Sequence, residues 1–247
     1  MTDEVLATQA FYDKEASTYD ERWTKPGGAR TFAVQRAIVQ ELCGGWRGLE
    51  VLEVGCGTGR FSELLLQVGA RPVVLDLSFQ MLKSACARLD AGADIRTRAA
   101  QGSIFALPLR AGTFDCALSI NVFNHLGAPS QALSELARVL RPGGQLVVNF
   151  ANSTSYFWTA ARLIARRKKA MGQDVVSYWR ARDEIMRLLA NAGFRPLRVL
   201  GNVHVARSLD YPVLRNIIGA VDSQSRTSLL RFLAPGLYIA CERRMEA

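Results

Sequence analysis

The residues with the most chemical content lie in one short run, Glu53-x-Gly55-x-Gly57-x-Gly59, at the end of a brief apolar stretch. Glycines so spaced let a backbone turn pass close against a ligand. A dinucleotide fingerprint needs a further glycine at position 60 or 62, depending on frame, and the chain has Arg60 and Ser62 there. A P-loop needs Gly-Lys-Ser/Thr after four residues, and none follows. An acid at Glu53 would repel a phosphate and attract an amine or a sulfonium. A second acid, Asp76, falls about twenty residues after the turn, where a carboxylate can accept hydrogen bonds from both ribose hydroxyls. The charges therefore favour a cationic adenosine ligand.

The elements that would hold these residues alternate. Positions 49–54 read as a strand, 59–68 as a helix stopped by Gly69, and 72–77 as a second strand. Ser78 caps a helix reaching about 89. A weaker strand at 95–99 and a clear one at 114–120 follow, then a helix at 129–140 with Pro129 near its start, then a strand at 146–150. Strand–helix alternation implies an α/β fold, Rossmann-like and doubly wound, with a seven-stranded, mostly parallel sheet and extra helices. Ligands of such sheets bind at the carboxyl ends of the strands, where the glycine turn falls.

Outside the alternation, 4–22, partly amphipathic, and 32–42 read as helices separated by a break at 25–28. Helices are expected at 155–171, 181–192 and 210–233, with strands at 198–205 and 236–241. One domain over 1–247 is expected, with cap helices in 4–42 and helical additions around 155–192 and 210–233.

Composition bounds the class. The 247 residues are 49% hydrophobic and 21% charged, an ordinary globular balance. No apolar run approaches the ~18 residues of a membrane span, and the first residues are polar and acidic, unlike a secretory signal. A cytoplasmic protein is expected, with peripheral membrane contact left open. Cys43, Cys56, Cys86, Cys116 and Cys241 form no CxxC pair, and the two histidines are His125 and His204. Both facts argue against a disulfide scaffold or a zinc site. The net charge of +9 suits an anionic partner or simply a basic surface.

The motifs LEVGCGTG, LDLS with Met81-Leu82, LPL before FD, and LRPGG occur in the order and spacing of one family. Together they resemble the class I S-adenosylmethionine (SAM) dependent methyltransferases, over about 12–150. GLYIACERR is similar to the family's closing strand, and FYDKEASTYDERW to the cap helix of its small-molecule and quinone subgroup. The resemblance implies that Gly55, Gly57 and Gly59 line the methionine part of SAM, with Cys56 and Asn121 beside it. Glu53 would face the amino group, Asp76 the ribose, and Leu77, Ser103 and Ile104 the adenine. Tyr19 would act in a lid. Where the family commonly has Asp-Ala, this chain has Ser103-Ile104. S-adenosylhomocysteine would be the product.

Methyl transfer from a sulfonium is an in-line displacement, and a base is needed only if the nucleophile must lose a proton. The stretch Asn121-Val-Phe-Asn124-His125-Leu126 lacks the Pro-Pro of DNA amine methylation. Cys116 lies within a strand, which argues against the pyrimidine-C5 route. His125 is a general-base candidate, or else it orients the following helix; His204 reads as structural. Segment 158–169, with five cations among aromatics and aliphatics, fits an anionic membrane surface or a solvated basic face. Nucleic acid is a weaker third reading, since no RNA-binding module is present. The expected acceptor is a small, lipid-like or secondary-metabolite molecule, methylated on oxygen or nitrogen. A protein or RNA methyltransferase and a silent SAM-binding protein are the alternatives.

Overall fold

The computed structural model describes residues 2–89, 98–155, 158, 177–202 and 229–245. The chain begins with α1 (Asp3–Glu15), the short α2 (Glu21–Thr24) and α3 (Pro26–Cys43). The alternation then runs β1 (Glu50–Val54), α4 (Arg60–Gln67), β2 (Arg71–Asp76), α5 (Phe79–Leu89), β3 (Ala99–Gln101), β4 (Phe114–Ser119), α6 (Pro129–Val139) and β5 (Leu140–Asn152). It ends with β6 (Trp179–Arg180), α7 (Arg182–Asn191), β7 (Phe194–Asn202) and β8 (Gly236–Arg243).

Among the described residues the strands form one sheet in the order β3-β2-β1-β4-β5-β8-β7, with β6 beside β5. The pairs from β3 to β5 are parallel, and β8 runs antiparallel to both β5 and β7. From β1 the chain winds outward through β2 to β3, then returns to the other side of β1 as β4. Adjacent strands thus diverge at β1 and β4, which opens a crevice above their carboxyl ends.

Helices α3 to α7 cover the sheet with apolar stripes. On one face α6 and α7 bury Leu133, Leu136, Ile185 and Leu189 against β4, β5 and β8. On the other, α3 and α4 bury Ile38, Val39, Leu64 and Leu65 around Trp46 and Tyr238. The Ser78 hydroxyl accepts a hydrogen bond from the Met81 amide at 3.1 Å, the N-cap expected from the sequence. Cys43, Cys56, Cys116 and Cys241 are buried and Cys86 is partly so; none is in a disulfide. Among the described residues no helix is long and apolar enough to cross a membrane.

The boundaries depart from expectation in four places. The first helix stops at Glu15, and Arg22 belongs to α2. The third begins at Pro26 rather than 32, with Gly27 and Gly28 in its first turn. Gly28 is there for contact: a Cβ on it would lie 1.9 Å from the Arg22 carbonyl oxygen, where α2 meets α3. Strand β5 starts at Leu140, and Arg141–Gly144 bulges out between the pairs Phe114–Leu140 and Cys116–Gln145. Strand β7 begins four residues earlier than 198; as an edge strand it tolerates Pro196 at a register shift. Of the expected strand at 95–99, positions 95–97 lie outside the described residues, as do His204, most of 155–171 and most of 210–233. The basic run after Trp158 is among them.

Candidate functional site

The crevice holds a cavity of about 630 Å³. Its floor is the glycine turn after β1. Gly55, Gly57 and Gly59 all have positive φ, at 74°, 54° and 80°, conformations that other residues adopt at a cost. Gly55 also has no room for a side chain, because its Cβ would lie 2.2 Å from Cγ2 of Val122. The turn is tied to β2 by hydrogen bonds from the Gly55 and Cys56 amides to the Leu75 carbonyl.

Asp76 ends β2 and lines the cavity. Its carboxylate accepts from the Gly57 amide at 2.8 Å and the Ser78 amide at 2.9 Å. Burial raises its pKa to about 6, against the pull of those amides. Leu77, Ser103 and Ile104 continue the wall. The Ser103 hydroxyl accepts from the Phe105 amide at 3.3 Å, so it also shapes its own loop.

Two residues expected at the ligand are elsewhere. Glu53 is 3% exposed and does not line the cavity. Its carboxyl accepts the Ser62 hydroxyl of α4 beneath the turn, and burial pushes its pKa up to about 8. The strand around it is buried on both faces, so side-chain alternation alone leaves its direction open. Gly59 also stands back from the cavity: its Cβ position is 3.1 Å from Ala85, where α4 closes on α5.

Asn121 follows β4 with a φ of 63°. Asn149 holds it there, accepting from the Asn121 amide at 2.6 Å and donating to its side-chain oxygen at 3.2 Å. Gln35 of α3 donates to the same oxygen at 3.4 Å. Next comes a 3₁₀ turn, Phe123–His125. Asn124 anchors it by accepting from the Ala151 amide at 2.7 Å, and its own carbonyl accepts from the Tyr178 amide. Arg180 is buried and donates to the carbonyls of Phe123 and Leu126, on either side of His125.

The roof is α1. It contributes Glu4, Thr8, Gln9 and Tyr12 to the cavity and buries no residue completely. Polar groups secure it. The Asp13 carboxylate accepts the Ser78 hydroxyl at 2.6 Å and the Gln80 amide at 3.2 Å. Glu4 accepts the Tyr178 hydroxyl at 2.8 Å. The Tyr12 hydroxyl is 3.2 Å from His125 Nε2. Burial raises the Tyr12 pKa well above that of an ordinary phenol, so the phenol keeps its proton. Tyr19 packs edge-on to Tyr12 and lines the cavity. Past it, Asp20 accepts from the Thr58 hydroxyl at 2.8 Å and joins the N-terminal segment to the glycine turn.

Ten expected site residues therefore converge on one cavity: Tyr19, Gly55, Cys56, Gly57, Asp76, Leu77, Ser103, Ile104, Asn121 and His125. Cys116 is not among them, and burial pushes its thiol up to about 12. The sequence reading gave no site role to Tyr12, Gln35, Arg60 or Arg180. Arg60 offered a signal, as a cation directly after the last glycine of the turn. Arg180 offered none, because its partners are carbonyls.

Residues 52–148 match the family model described as a methyltransferase domain. A probable S-adenosylmethionine-dependent methyltransferase of Mycolicibacterium smegmatis is 30% identical over 180 residues, which is 71% of this chain and 63% of that protein. The chain thus matches less than two thirds of that relative's length. A demethylmenaquinone methyltransferase of Renibacterium salmoninarum is 30% identical over 201 residues, covering 75% of this chain and 82% of the relative. Among solved structures, geranyl diphosphate C-methyltransferase of Streptomyces coelicolor shares the fold, with a TM-score of 0.68 at 15% identity over 98% of this chain and 99% of that one. A glycine turn facing an acid at the tip of β2, on this sheet order and with these relatives, marks the chain as a member of the S-adenosylmethionine-dependent methyltransferases.

Proposed function

We propose that this protein transfers a methyl group from SAM to an oxygen of a small, largely apolar acceptor, with His125 as the base. The observation that carries this reading is the Tyr12–His125 pair at 3.2 Å in the cavity wall under α1.

The cavity fits the cofactor. Gly55 and Gly57 form a cradle that side chains would fill, and Asp76 offers carboxylate oxygens within it. When bound, SAM supplies a methyl on a positively charged sulfur. Asp76 would accept hydrogen bonds from the ribose hydroxyls, and Leu77 and Ile104 would cover the adenine. The ridge of Asn121 and Val122, pressed onto Gly55, fixes the floor between cofactor and acceptor. Such fixed placement of the two reactants is where much of the rate of a displacement arises.

A hydroxyl acceptor must lose a proton as its oxygen is methylated. Hydrogen-bonded to either member of the pair, it has a path for that proton to the imidazole. Val5, Phe105 and Leu126 make the surrounding wall apolar, and α1 above keeps out water. A roofed pocket of this size suits a compact acceptor better than a protein or RNA chain.

The test is methyl transfer from isotopically labelled SAM to a panel of phenols, enols and amines, read by mass spectrometry. Oxygen methylation should dominate. His125→Ala and Tyr12→Phe should each slow it while calorimetric SAM affinity stays the same. Equal turnover of amines and phenols, untouched by His125→Ala, would refute the assignment.

A further inference from the structure

Among the described residues lining the cavity, three carry a full charge: Glu4, Arg60 and Asp76. Asp76 ends β2 and Arg60 opens α4, both on the side of the glycine turn. Glu4 stands apart from them, at the other end of α1 from Tyr12. The helical rise puts the two positions about 12 Å apart along the axis. The Glu4 carboxylate is held in place. Its Oε1 accepts the Tyr178 hydroxyl at 2.8 Å, and the Tyr178 amide donates to the Asn124 carbonyl at 2.7 Å. Its Oε2 lies beside Gly127, 3.5 Å from where a Cβ on that residue would stand, and the same Cβ would be 3.1 Å from the Tyr178 hydroxyl. Gly127 has no left-handed backbone, so what the glycine provides is clearance over the carboxylate. Oε2 takes no hydrogen bond from any described residue. Arg180 lies 5.4 Å from the centre of the Tyr178 ring, but its nitrogens are directed to the Phe123 and Leu126 carbonyls and to Glu184, and it does not line the cavity.

We propose that Glu4 selects the acceptor, a phenol or enol that carries an ammonium group at the end remote from the oxygen to be methylated. The inference rests on the oxygen-methylation reading and adds the class of acceptor. With the hydroxyl at Tyr12 and His125, the far end of a compact molecule reaches the open Oε2. A phenol with a two-carbon chain to a para amine spans ~8 Å, which a hydrogen bond of ~2.8 Å at each end brings to the separation of the two groups. An ammonium supplies three donors and opposite charge. A carboxylate or phosphate in the same place would face Glu4 with no lining cation beside it. Holding the amine at Glu4 also keeps it away from the methyl, so an acceptor with both groups is presented oxygen first.

The experiment measures kcat/KM for methyl transfer from labelled SAM to three phenols of similar shape: tyramine, 4-ethylphenol and 3-(4-hydroxyphenyl)propanoate. The wild-type protein should prefer tyramine to 4-ethylphenol by about threefold to tenfold, carried by KM, as for a charge pair open to solvent on one side. The anionic phenol should be the poorest. Glu4→Gln keeps an acceptor for the Tyr178 hydroxyl and removes the charge. It should bring tyramine to within about twofold of 4-ethylphenol and leave 4-ethylphenol itself within about threefold of its wild-type value. Asp3→Asn removes a neighbouring charge from the same first turn of α1, outside the cavity, and should keep the wild-type order. A wild-type protein without preference for tyramine, or a preference that survives Glu4→Gln, would overturn the proposal. So would an equal loss for all three phenols in Glu4→Gln, the mark of a purely structural tie, or methylation of tyramine on nitrogen. A wild-type protein that methylates none of the three would sink the oxygen-methylation reading and the inference with it, whereas turnover without charge selectivity sinks the inference alone.

Discussion

Glu53→Gln tests the displacement of Glu53 from the ligand side of the turn. Burial holds the folded-state carboxyl at about 8, against 4.5 for a solvent-exposed glutamate. The folded chain thus keeps a proton that the unfolded chain has lost. The group's stability contribution is highest below pH 4.5 and is lost as pH rises toward about 8. Between about pH 6 and pH 7 the loss approaches roughly 1 kcal/mol per pH unit, and the accumulated penalty at neutral pH is about 3 kcal/mol. Asp76 also has a raised pKa, but its loss is nearly complete at about 6, and it is common to both proteins.

Glutamine cannot ionise, and its carbonyl oxygen can still accept the Ser62 hydroxyl. Its amide hydrogens need acceptors in a buried place, a cost of roughly 1–2 kcal/mol. The variant should therefore match or fall slightly below the wild type at about pH 5 and overtake it by about pH 8. Thermal unfolding of the ligand-free proteins across that range reads the crossing. The melting-temperature difference should change by about 3 °C per pH unit, given ~2–4 °C per kcal/mol for a chain of this size. Parallel curves would refute the buried-acid argument. Because Glu53 faces Ser62 rather than the cavity, the variant should also keep its S-adenosylhomocysteine affinity within about threefold. A loss growing with pH would return Glu53 to the ligand as a working carboxylate.

Three further predictions concern the walls of the cavity. Asp76→Asn should weaken S-adenosylhomocysteine binding by about a hundredfold in calorimetry; wild-type affinity should itself fall as pH drops through about 6, where Asp76 takes up a proton. Gly55→Ala should cost about 2–4 kcal/mol in denaturant unfolding, combining left-handed backbone strain with overlap on Val122. Adding Val122→Ala should recover the overlap part alone. Arg180→Met releases the carbonyls flanking His125 and should lower turnover more than cofactor affinity; Arg180→Lys should restore part of the rate, and loss of affinity in step with turnover would count against a positioning role.

The sheet and the cofactor side were legible because their signals are local. Glycines at fixed offsets need positive φ whatever packs around them, and Asp76 follows from strand length. Ser78 declares its helix within three residues. Glu53 was less legible, because its charge reads as a ligand contact while its direction depends on which face of a wholly buried strand it takes. Gly59 was similar: a spacing that looks like part of a cradle also serves the approach of α4 to Ala85. The early start of α3 was hidden by glycines that read as a break but supply the clearance beside Arg22.

The acceptor side was not legible because its contacts join residues far apart in sequence. Tyr12 meets His125 across 113 positions, and Glu4 meets Tyr178 across 174. Helix α1 buries nothing completely, so the partly amphipathic pattern of 4–22 does not single out its inner face. The same fact bears on mechanism. A roof held by hydrogen bonds, each worth ~1 kcal/mol net, lifts for a few kcal/mol, well below the stability of a whole domain. The strands beneath are buried on both faces and do not share that freedom. If α1 lifts to admit the acceptor, it carries Tyr12 with it, and its return would bring the tyrosine to His125, so the proposed proton path would be complete only when the cavity is shut.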